Sequence, residues 1–312
     1  MLVINEQSSL QLISENLFEQ KNIKFYVLRE DLIHPEISGN KWRKLKYNVA
    51  EAKQKGASQM LTFGGAYSNH IAATAAAGQH FSIKTIGIIR GEEILPLNPT
   101  LQLAKDNGMR FIYVSREVYR KKTELEFLQK LKVEVGDFYL VPEGGSNALA
   151  VKGCTEILNN ISINFDVAAV ACGTGGTISG LIASADNSKE VLGFPALKGG
   201  SFLKEDIQEL LNDYSQTFNQ KVRNDNWELI EQYHFGGYAK VKDELVQFVK
   251  TFYQKHKIPL DLIYTGKMFY GFYDMIENSD KFNNKTIVVI HTGGLQGNKG
   301  FEERLGIQLF LK

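Results

Sequence analysis

A glycine-rich turn follows a short apolar run near the middle of the 312-residue chain. Residues 166–180 read DVAAVACGTGGTISG, which is typical of a buried strand that turns into a helix opening near Thr177. Backbone N–H groups in such a turn can approach a phosphate, and the helix N-terminus adds favourable partial charge. The same pattern also serves simply to pack a strand against a helix, so the turn alone leaves both interpretations open.

Two common nucleotide-binding patterns are missing from the sequence. A dinucleotide site would place an acidic residue at the end of the next strand, but VLGF (191–194) is followed by Pro195 and Ala196. Neither GxxxxGKS nor GxxxxGKT occurs, which argues against nucleoside triphosphates.

Lys41 is the second candidate for chemistry. Residues 28–47, LREDLIHPEISGNKWRKLKY, pass from a polar, turn-rich segment ending at 39–40 into a helical stretch that begins at about Lys41. At the positive end of a helix, beside Arg43 and Lys44, the ammonium form of Lys41 is disfavoured. The free amine is the form that condenses with an aldehyde. A solvated lysine at a helix start is the alternative.

The surrounding pattern predicts an α/β fold, because short β-branched runs alternate with Ala- or Lys-rich stretches from Met60 onward. We predict strands at MLTF, KTIGIIR, RFIYVS, FYLVPE, VAAVACG, VLGF, LIYTG and TIVVIHTG. We predict helices at 68–78, 98–107, 116–133, 147–159 and 176–186, and amphipathic helices outside a sheet at 204–212 and 240–256.

Composition favours a small-molecule partner. Lys and Arg total 36 and Asp and Glu total 35, so no net field would attract nucleic acid or anionic lipid. No apolar run approaches the roughly 18 residues needed to span a bilayer. Two cysteines, Cys154 and Cys172, and the lack of a basic segment followed by an apolar stretch at the N-terminus favour the reducing cytoplasm. We therefore expect no nucleic-acid partner and no membrane association.

Six blocks spread from residue 28 to 294 carry a resemblance to a known family. They are LREDL with SGNKWRKLKY, TFGGAYSNHIAATAAAG, VPEGGSNALAVKGC, ACGTGGTISGL, YTGKMFYG and HTGG. The chain resembles D-cysteine desulfhydrase and 1-aminocyclopropane-1-carboxylate (ACC) deaminase, which are pyridoxal-phosphate enzymes of fold type II, like tryptophan synthase β. The resemblance implies a homodimer whose chain has two parallel-sheet α/β domains with the active site in the cleft between them. The larger, cofactor-binding domain would comprise residues 1–44 and 146–312, and the smaller one residues 45–145.

The resemblance also implies roles for individual residues. Lys41 would carry pyridoxal 5′-phosphate as a Schiff base and act in catalysis, and Asn69 would reach the cofactor ring oxygen. Ser68, Asn69 and His70, at the start of an Ala-rich helix, match the substrate-carboxylate site, and Ser68 also counts as catalytic; a helix N-cap is its structural alternative. The loop around the cofactor phosphate would consist of Gly173, Thr174, Gly175, Gly176 and Thr177. No metal ligand is predicted.

Four further positions match the family pattern or depart from it. Tyr264 and Tyr238 match active-site tyrosines, although 239–241 reads AKV where the family usually has glycine and proline, which leaves simple packing open for Tyr238. Thr265 replaces the glutamate that faces the pyridine nitrogen in ring-opening deaminases, and Thr292 replaces an apolar residue. We assign both threonines to cofactor binding, and both resemble the desulfhydrase branch.

The expected reaction is therefore α,β-elimination, with D-cysteine giving pyruvate, ammonia and hydrogen sulfide. A carboxylate at the pyridine nitrogen favours the strong electron sink needed when no leaving group waits at Cβ, whereas a hydroxyl does not. The alternatives are an ACC deaminase and a non-catalytic pyridoxal-phosphate-binding relative. A nicotinamide-dependent oxidoreductase is more distant.

Overall fold

The computed structural model describes residues 4, 6–37 and 39–310. Its strands are β1 (Ser9–Ile13), β2 (Lys24–Arg29), β3 (Gln59–Gly65), β4 (Lys84–Arg90), β5 (Arg110–Val114), β6 (Tyr139–Val141), β7 (Val167–Cys172), β8 (Glu190–Pro195), β9 (Trp227–Leu229) and β10 (Thr286–Ile290). Its α-helices are α1 (Asn16–Gln20), α2 (Asn40–Gln54), α3 (Asn69–Phe81), α4 (Pro99–Asp106), α5 (Arg116–Arg120), α6 (Leu125–Val135), α7 (Ala148–Thr155), α8 (Gly176–Ser184), α9 (Leu203–Phe218), α10 (Asp243–His256), α11 (Thr265–Asn278) and α12 (Gly297–Leu305). Short 3-10 helices occur at Glu30–Leu32, Glu143–Gly145, Leu158–Asn160 and Gly200–Phe202.

The strands form two separate sheets. The larger has the order β1-β2-β10-β7-β8-β9 and is parallel except for β1, which runs antiparallel to β2. The smaller has the order β5-β4-β3-β6 and is parallel throughout. Parallel neighbours require crossover connections, which the intervening helices supply. The α/β class with two largely parallel sheets is thus confirmed. No helix in the described residues is long and apolar enough to cross a membrane.

Strand β7 shows why the apolar run before the glycine turn is continuous. Its odd-numbered residues, 167–171, share a core with residues of α10 and α11, whereas its even-numbered residues, 168–172, share a core with residues of α8 and α9. Successive side chains of a strand point to opposite faces, so a strand covered on both sides must be apolar throughout. The glycine turn begins directly where this strand ends.

Helix α2 packs against the smaller sheet through one face. Trp42, Leu45 and Val49, spaced three and four residues apart, share a core with small residues of α3 and with Met60 of β3. The predicted domain boundary after residue 44 falls inside this helix. The domain limits remain a prediction.

Some predicted elements were wrong or incomplete. LIYTG (262–266) is not a strand: residues 262–264 form a turn, and α11 begins at Thr265. The predicted helix at 116–133 is two helices, α5 and α6, and 147–159 is α7 followed by a 3-10 turn. Strands β1, β2 and β9 were not predicted; β1 and β9 lie at the edges of the larger sheet and include exposed positions, so their residues do not form apolar runs.

Candidate active site

Lys41 is the second residue of α2, and the turn that precedes it requires glycine. Gly39 has φ +62° and ψ −144°, and a Cβ built there would lie 1.9 Å from the carbonyl oxygen of Thr292. Only glycine adopts this conformation and leaves room for the approaching backbone. The start of α2 therefore lies directly against the HTGG segment, 291–294.

The environment of Lys41 favours the neutral amine. Burial, reinforced by the neighbouring charge of Lys44, lowers the pKa of Lys41 to about 7, although Cys154 and Asp261 act in the opposite direction. A larger share of this side chain is then a free amine at neutral pH than for an ordinary lysine. Its Nζ donates a hydrogen bond to Asn40 Oδ1 at 2.9 Å. A buried, partly deprotonated lysine has the properties of a nucleophile toward an aldehyde.

Lys44 forms a polar pocket beside this amine and was not singled out from the sequence. Its buried Nζ donates to the Gly144 carbonyl (3.0 Å), to Ser146 Oγ (3.0 Å) and to Thr174 Oγ1 (3.2 Å). Burial lowers the pKa of Lys44. Its position three residues after Lys41, on the same side of a helix, is a signal that could have identified it.

The glycine turn completes this pocket. Gly175 has φ +74°, and a Cβ built on Gly176 would lie 2.7 Å from Ser146 Oγ and 3.0 Å from Lys44 Nζ. The Nδ2 of Asn40 donates to Thr177 Oγ1 at 2.8 Å, which ties the start of α2 to the start of α8. One cation, several hydroxyls and the N-terminus of α8 thus converge, an arrangement suited to a phosphate.

Ser68 and Asn69 lie at the start of α3. Ser68 is the N-cap of α3, because its Oγ accepts a hydrogen bond from the N–H of Ile71 at 3.3 Å. Ser68 therefore has the structural role that the sequence offered as the alternative to catalysis. Asn69 Oδ1 accepts from Gln296 Nε2 at 2.6 Å, and a Cβ on Gly294 would lie 2.5 Å from Asn69 Nδ2. Asn69 therefore joins the smaller sheet's first loop to the HTGG segment. The first N–H groups of a helix have no intrahelical partner. Ser68 takes that of Ile71, so those of Asn69 and His70 are the ones that a carboxylate could use.

His70 faces into the protein. Thr62 Oγ1 donates to the Val141 carbonyl at 2.8 Å, so we assign the 2.7 Å contact between Thr62 and His70 as donation by the His70 Nε2–H. His70 Nδ1 is then a buried acceptor with no partner in the described residues. Burial, with the charges of Lys41 and Lys44, holds its pKa well below the usual value. The neutral ring offers no charge to a carboxylate, and its predicted role there stays a prediction.

Tyr264 and Tyr238 form a pair beside the glycine turn. Their ring centroids are 6.0 Å apart at 69°, and their side chains are hydrogen-bonded to each other. A Cβ on Gly173 would lie 3.3 Å from the Tyr264 hydroxyl oxygen. Burial raises the pKa of both phenols, so each carries its proton at neutral pH. The structure thus brings both predicted tyrosines together.

Asp261, which the sequence did not point to, explains the local fold around Thr265. Its carboxylate accepts the N–H groups of Ile263, Tyr264 and Thr265 and the hydroxyl of Thr265, each at 2.8 Å. A carboxylate that takes successive backbone N–H groups starts a helix and removes the donors that a strand needs. The buried Thr265 hydroxyl also accepts from the Asp261 N–H at 2.9 Å. Its contact with a pyridine nitrogen, and that of Thr292 with the cofactor, stay predictions.

Comparison with known proteins identifies the family. The sequence pattern of the family described as "Pyridoxal-phosphate dependent enzyme" matches residues 11–293. The chain belongs to this family. Among curated relatives of this pyridoxal-phosphate enzyme is a Thermotoga maritima protein provisionally named 1-aminocyclopropane-1-carboxylate deaminase, 32% identical over 295 residues that cover 91% of this chain and 92% of that one. Another is the Arabidopsis thaliana "Bifunctional D-cysteine desulfhydrase/1-aminocyclopropane-1-carboxylate deaminase, mitochondrial", 30% identical over 88% of this chain and 73% of that one.

Solved structures agree with this assignment. An "ACC deaminase homologue" superposes with a TM-score of 0.86 and 28% identity, covering 98% of this chain and 94% of that one. A hydrogen sulfide-producing enzyme from Fusobacterium nucleatum shares the fold, with a TM-score of 0.65 and 17% identity over 94% and 97% of the two chains. The fold is therefore that of fold-type II pyridoxal-phosphate enzymes.

The residues present fit pyridoxal 5′-phosphate. Lys44, Ser146, Thr174 and the α8 N-terminus would hold the phosphate, and the amine of Lys41 would bond to the aldehyde carbon. The unpartnered His70 Nδ1 is a further sign that this region is built to receive a polar group. The predicted loop 173–177 and Lys41 lie within one connected set of contacts.

Proposed function

We propose that this pyridoxal-phosphate enzyme eliminates the Cβ substituent of a small amino acid, with D-cysteine as the leading candidate. D-cysteine and one water would give pyruvate, ammonia and hydrogen sulfide. The bound cofactor supplies the electron sink that makes the Cα proton acidic. The observation that carries the proposal is the hydroxyl at Thr265, where ring-opening deaminases have a carboxylate. The nearby Asp261 carboxylate already accepts four hydrogen bonds.

Lys41 would remove the Cα proton. A general base works best when its pKa lies near the working pH, and burial beside Lys44 gives Lys41 a pKa of about 7. The start of α3 would hold the substrate carboxylate through Ser68, Asn69 and the first N–H groups of the helix. The α-carboxylate would then lie near the HTGG segment, which Asn69 approaches at Gly294.

Tyr264 and Tyr238 would act at the other end of the substrate. Burial keeps both phenols protonated, so they can donate a proton to a departing thiolate but cannot act as bases at neutral pH. A phenol has one O–H donor and can also accept, so whichever hydroxyl accepts the bond between the two tyrosines keeps its own proton for donation.

The decisive experiment measures products from purified enzyme loaded with pyridoxal phosphate. D-cysteine should give pyruvate and sulfide in equal amounts, and L-cysteine and ACC are compared in parallel. Release of 2-oxobutyrate from ACC, with no pyruvate from D-cysteine, would refute the desulfhydrase assignment.

Ring-opening ACC deaminase is the second candidate, favoured by the names of the Thermotoga maritima relative and of the structure with a TM-score of 0.86. Thr265→Glu, compared with the uncharged Thr265→Gln, separates the two. If the desulfhydrase proposal is correct, the glutamate variant should gain 2-oxobutyrate production from ACC relative to the glutamine variant, because a carboxylate strengthens the electron sink. A wild-type enzyme that already opens ACC efficiently would favour the second candidate.

We also propose that the enzyme works as a homodimer in the cytoplasm, as the family resemblance and the cysteine content suggest. Light scattering of the purified protein tests the dimer: a monomer at working concentration would contradict it.

A further inference from the structure

Lys267 is a buried cation outside the machinery described so far. It lies three residues after Tyr264 in α11 and is 2% exposed. Its Nζ donates to the carbonyl oxygens of Gly237 (2.8 Å), His234 (2.9 Å) and Ala196 (3.4 Å). An ammonium group has three N–H donors, so these three carbonyls satisfy it completely.

The turn that Lys267 contacts has an irregular backbone. Positive φ angles occur at Phe235 (54°), Gly236 (95°), Gly237 (126°) and Ala239 (54°). Positive φ is unfavourable for residues with a side chain, so contacts elsewhere must hold Phe235 and Ala239 in this conformation. The Phe235 ring packs on Tyr270 at 5.0 Å between centroids. Within the turn, the His234 carbonyl accepts the Gly237 N–H and the Gly237 carbonyl accepts the Lys240 N–H. The Lys267 ammonium group donates to both carbonyls as well and so joins the turn to α11.

This turn carries Tyr238, whose side chain is 36% exposed and contacts Tyr264. Tyr264 itself immediately precedes α11. Lys267 therefore bridges the helix that follows one tyrosine and the turn that holds the other. Its third acceptor, Ala196, follows β8 and donates its N–H to the Cys172 carbonyl just before the glycine turn.

We propose that Lys267 is a positioning residue for Tyr238, because its ammonium group fastens the turn at 234–237 to α11 and so sets the distance between the two phenols. Burial lowers the pKa of Lys267 to about 8, and Asp261 opposes this shift, so the ammonium form still predominates at neutral pH. The catalytic consequence rests on the proposed role of Tyr238, whereas the fastening of the turn does not.

Lys267→Met tests the proposal, since methionine fills similar space without donors. Lys240→Met is the matched control, because Lys240 is exposed on the same segment. Hydrogen–deuterium exchange of the loaded enzyme should be faster over 234–240 in Lys267→Met and unchanged in Lys240→Met. Unchanged exchange in Lys267→Met would overturn the proposal, whatever the activity.

Turnover per bound cofactor then tests the link to Tyr238. Displacement of about 1 Å in an active site costs about 10²-fold, so Lys267→Met should lower kcat by about that factor with little change in KM. Tyr238→Phe should lower kcat similarly, and the double variant should be no worse than the worse single one. Losses that multiply would overturn the link, because they would mean that Lys267 acts independently of Tyr238.

The proposal can still be tested if the first variant does not fold or if the proposed function is wrong. If Lys267→Met does not fold, Lys267→Leu, which also has no donor, undergoes the same measurements with the same criteria. If no amino acid tested yields a keto acid, the proposed function fails, but faster exchange over 234–240 would still support the fastening by Lys267 and unchanged exchange would still refute it.

Discussion

Lys44 and Tyr238 belong to two parts of the candidate active site that are held in place by different means. The phosphate end, which comprises Lys44, Ser146 and Thr174, is closed by direct hydrogen bonds among side chains of three separate chain segments. The tyrosine end, which comprises Tyr238 and Tyr264, depends on a turn with an irregular backbone, and Tyr238 is about one-third exposed.

The difference follows from what each end must do. A cofactor remains bound through many turnovers, so its pocket gains from fixed, buried donors. A substrate and its products must pass in and out, and segments that open for this purpose are less tightly packed than the core. We therefore expect substitutions at the phosphate end to change cofactor affinity and substitutions at the tyrosine end to change turnover.

Lys41→Ala should have the largest effect, because Lys41 would both carry the cofactor and act as the general base. Loss of the general base alone costs about 10²–10⁴-fold in turnover, and the covalent link to the cofactor disappears as well. Borohydride reduction followed by mass spectrometry measures the link, and keto-acid release measures turnover. Lys53→Ala, at an exposed position of the same helix, is the control. Reductive attachment of pyridoxal phosphate to the active site of Lys41→Ala would disprove the lysine assignment.

Tyr264→Phe should reduce kcat by about 10²-fold, within the range for loss of one proton donor. The phenyl ring keeps its place against Gly173, so the dissociation constant of the cofactor should not change. Steady-state kinetics and cofactor titration of the same preparation measure the two effects. Weakened cofactor binding with normal kcat would reverse the assignment of the two ends.

Lys44→Met should weaken cofactor binding and have little effect on kcat, the reverse of what we expect for Tyr264→Phe. Hydrogen bonds to a charged group contribute about 1.5–3 kcal/mol, so cofactor affinity should fall by about 10–10²-fold. At saturating cofactor most of the turnover should return. Equilibrium dialysis of the apoenzyme gives the affinity, with Lys53→Met as the matched control. Unchanged affinity would mean that Lys44 does not hold the phosphate.

The smallest effect concerns the pH dependence of cofactor uptake by the apoenzyme. Below the Lys41 pKa of about 7 the side chain is an ammonium ion that cannot attack an aldehyde, so uptake should fall about tenfold for each pH unit. Above pH 7 the rate should level off. Stopped-flow absorbance between pH 5.5 and pH 8.5, roughly 1.5 units either side of that pKa, would show the inflection. A rate that keeps rising toward pH 10 would indicate a lysine with an ordinary pKa.

Sequence patterns correctly predicted the strands that are buried on both faces. Strand β7 is buried along its length and β4 is buried between its two end residues, so both contain runs of mainly apolar residues. The pattern was wrong at 262–266, where β-branched and aromatic residues resemble a strand. There the carboxylate of Asp261 takes the backbone donors and starts a helix, and this contact does not show in the local composition.

Residue types and spacing drew attention to Lys41 and the glycine turn, because a tight turn and a lysine at a helix start depend on neighbours in the chain. They left a structural alternative open for each, and the resemblance of the six sequence blocks selected the functional interpretation. Other contacts join segments that are far apart in sequence. They are the hydrogen bonds of Lys44 to Thr174, of Gln296 to Asn69 and of Lys267 to Gly237. Which side chains meet across a cleft is set by how two sheets and their helices pack, and no local pattern encodes that. The sequence thus determined the chemistry available, and the tertiary structure decided which groups act together.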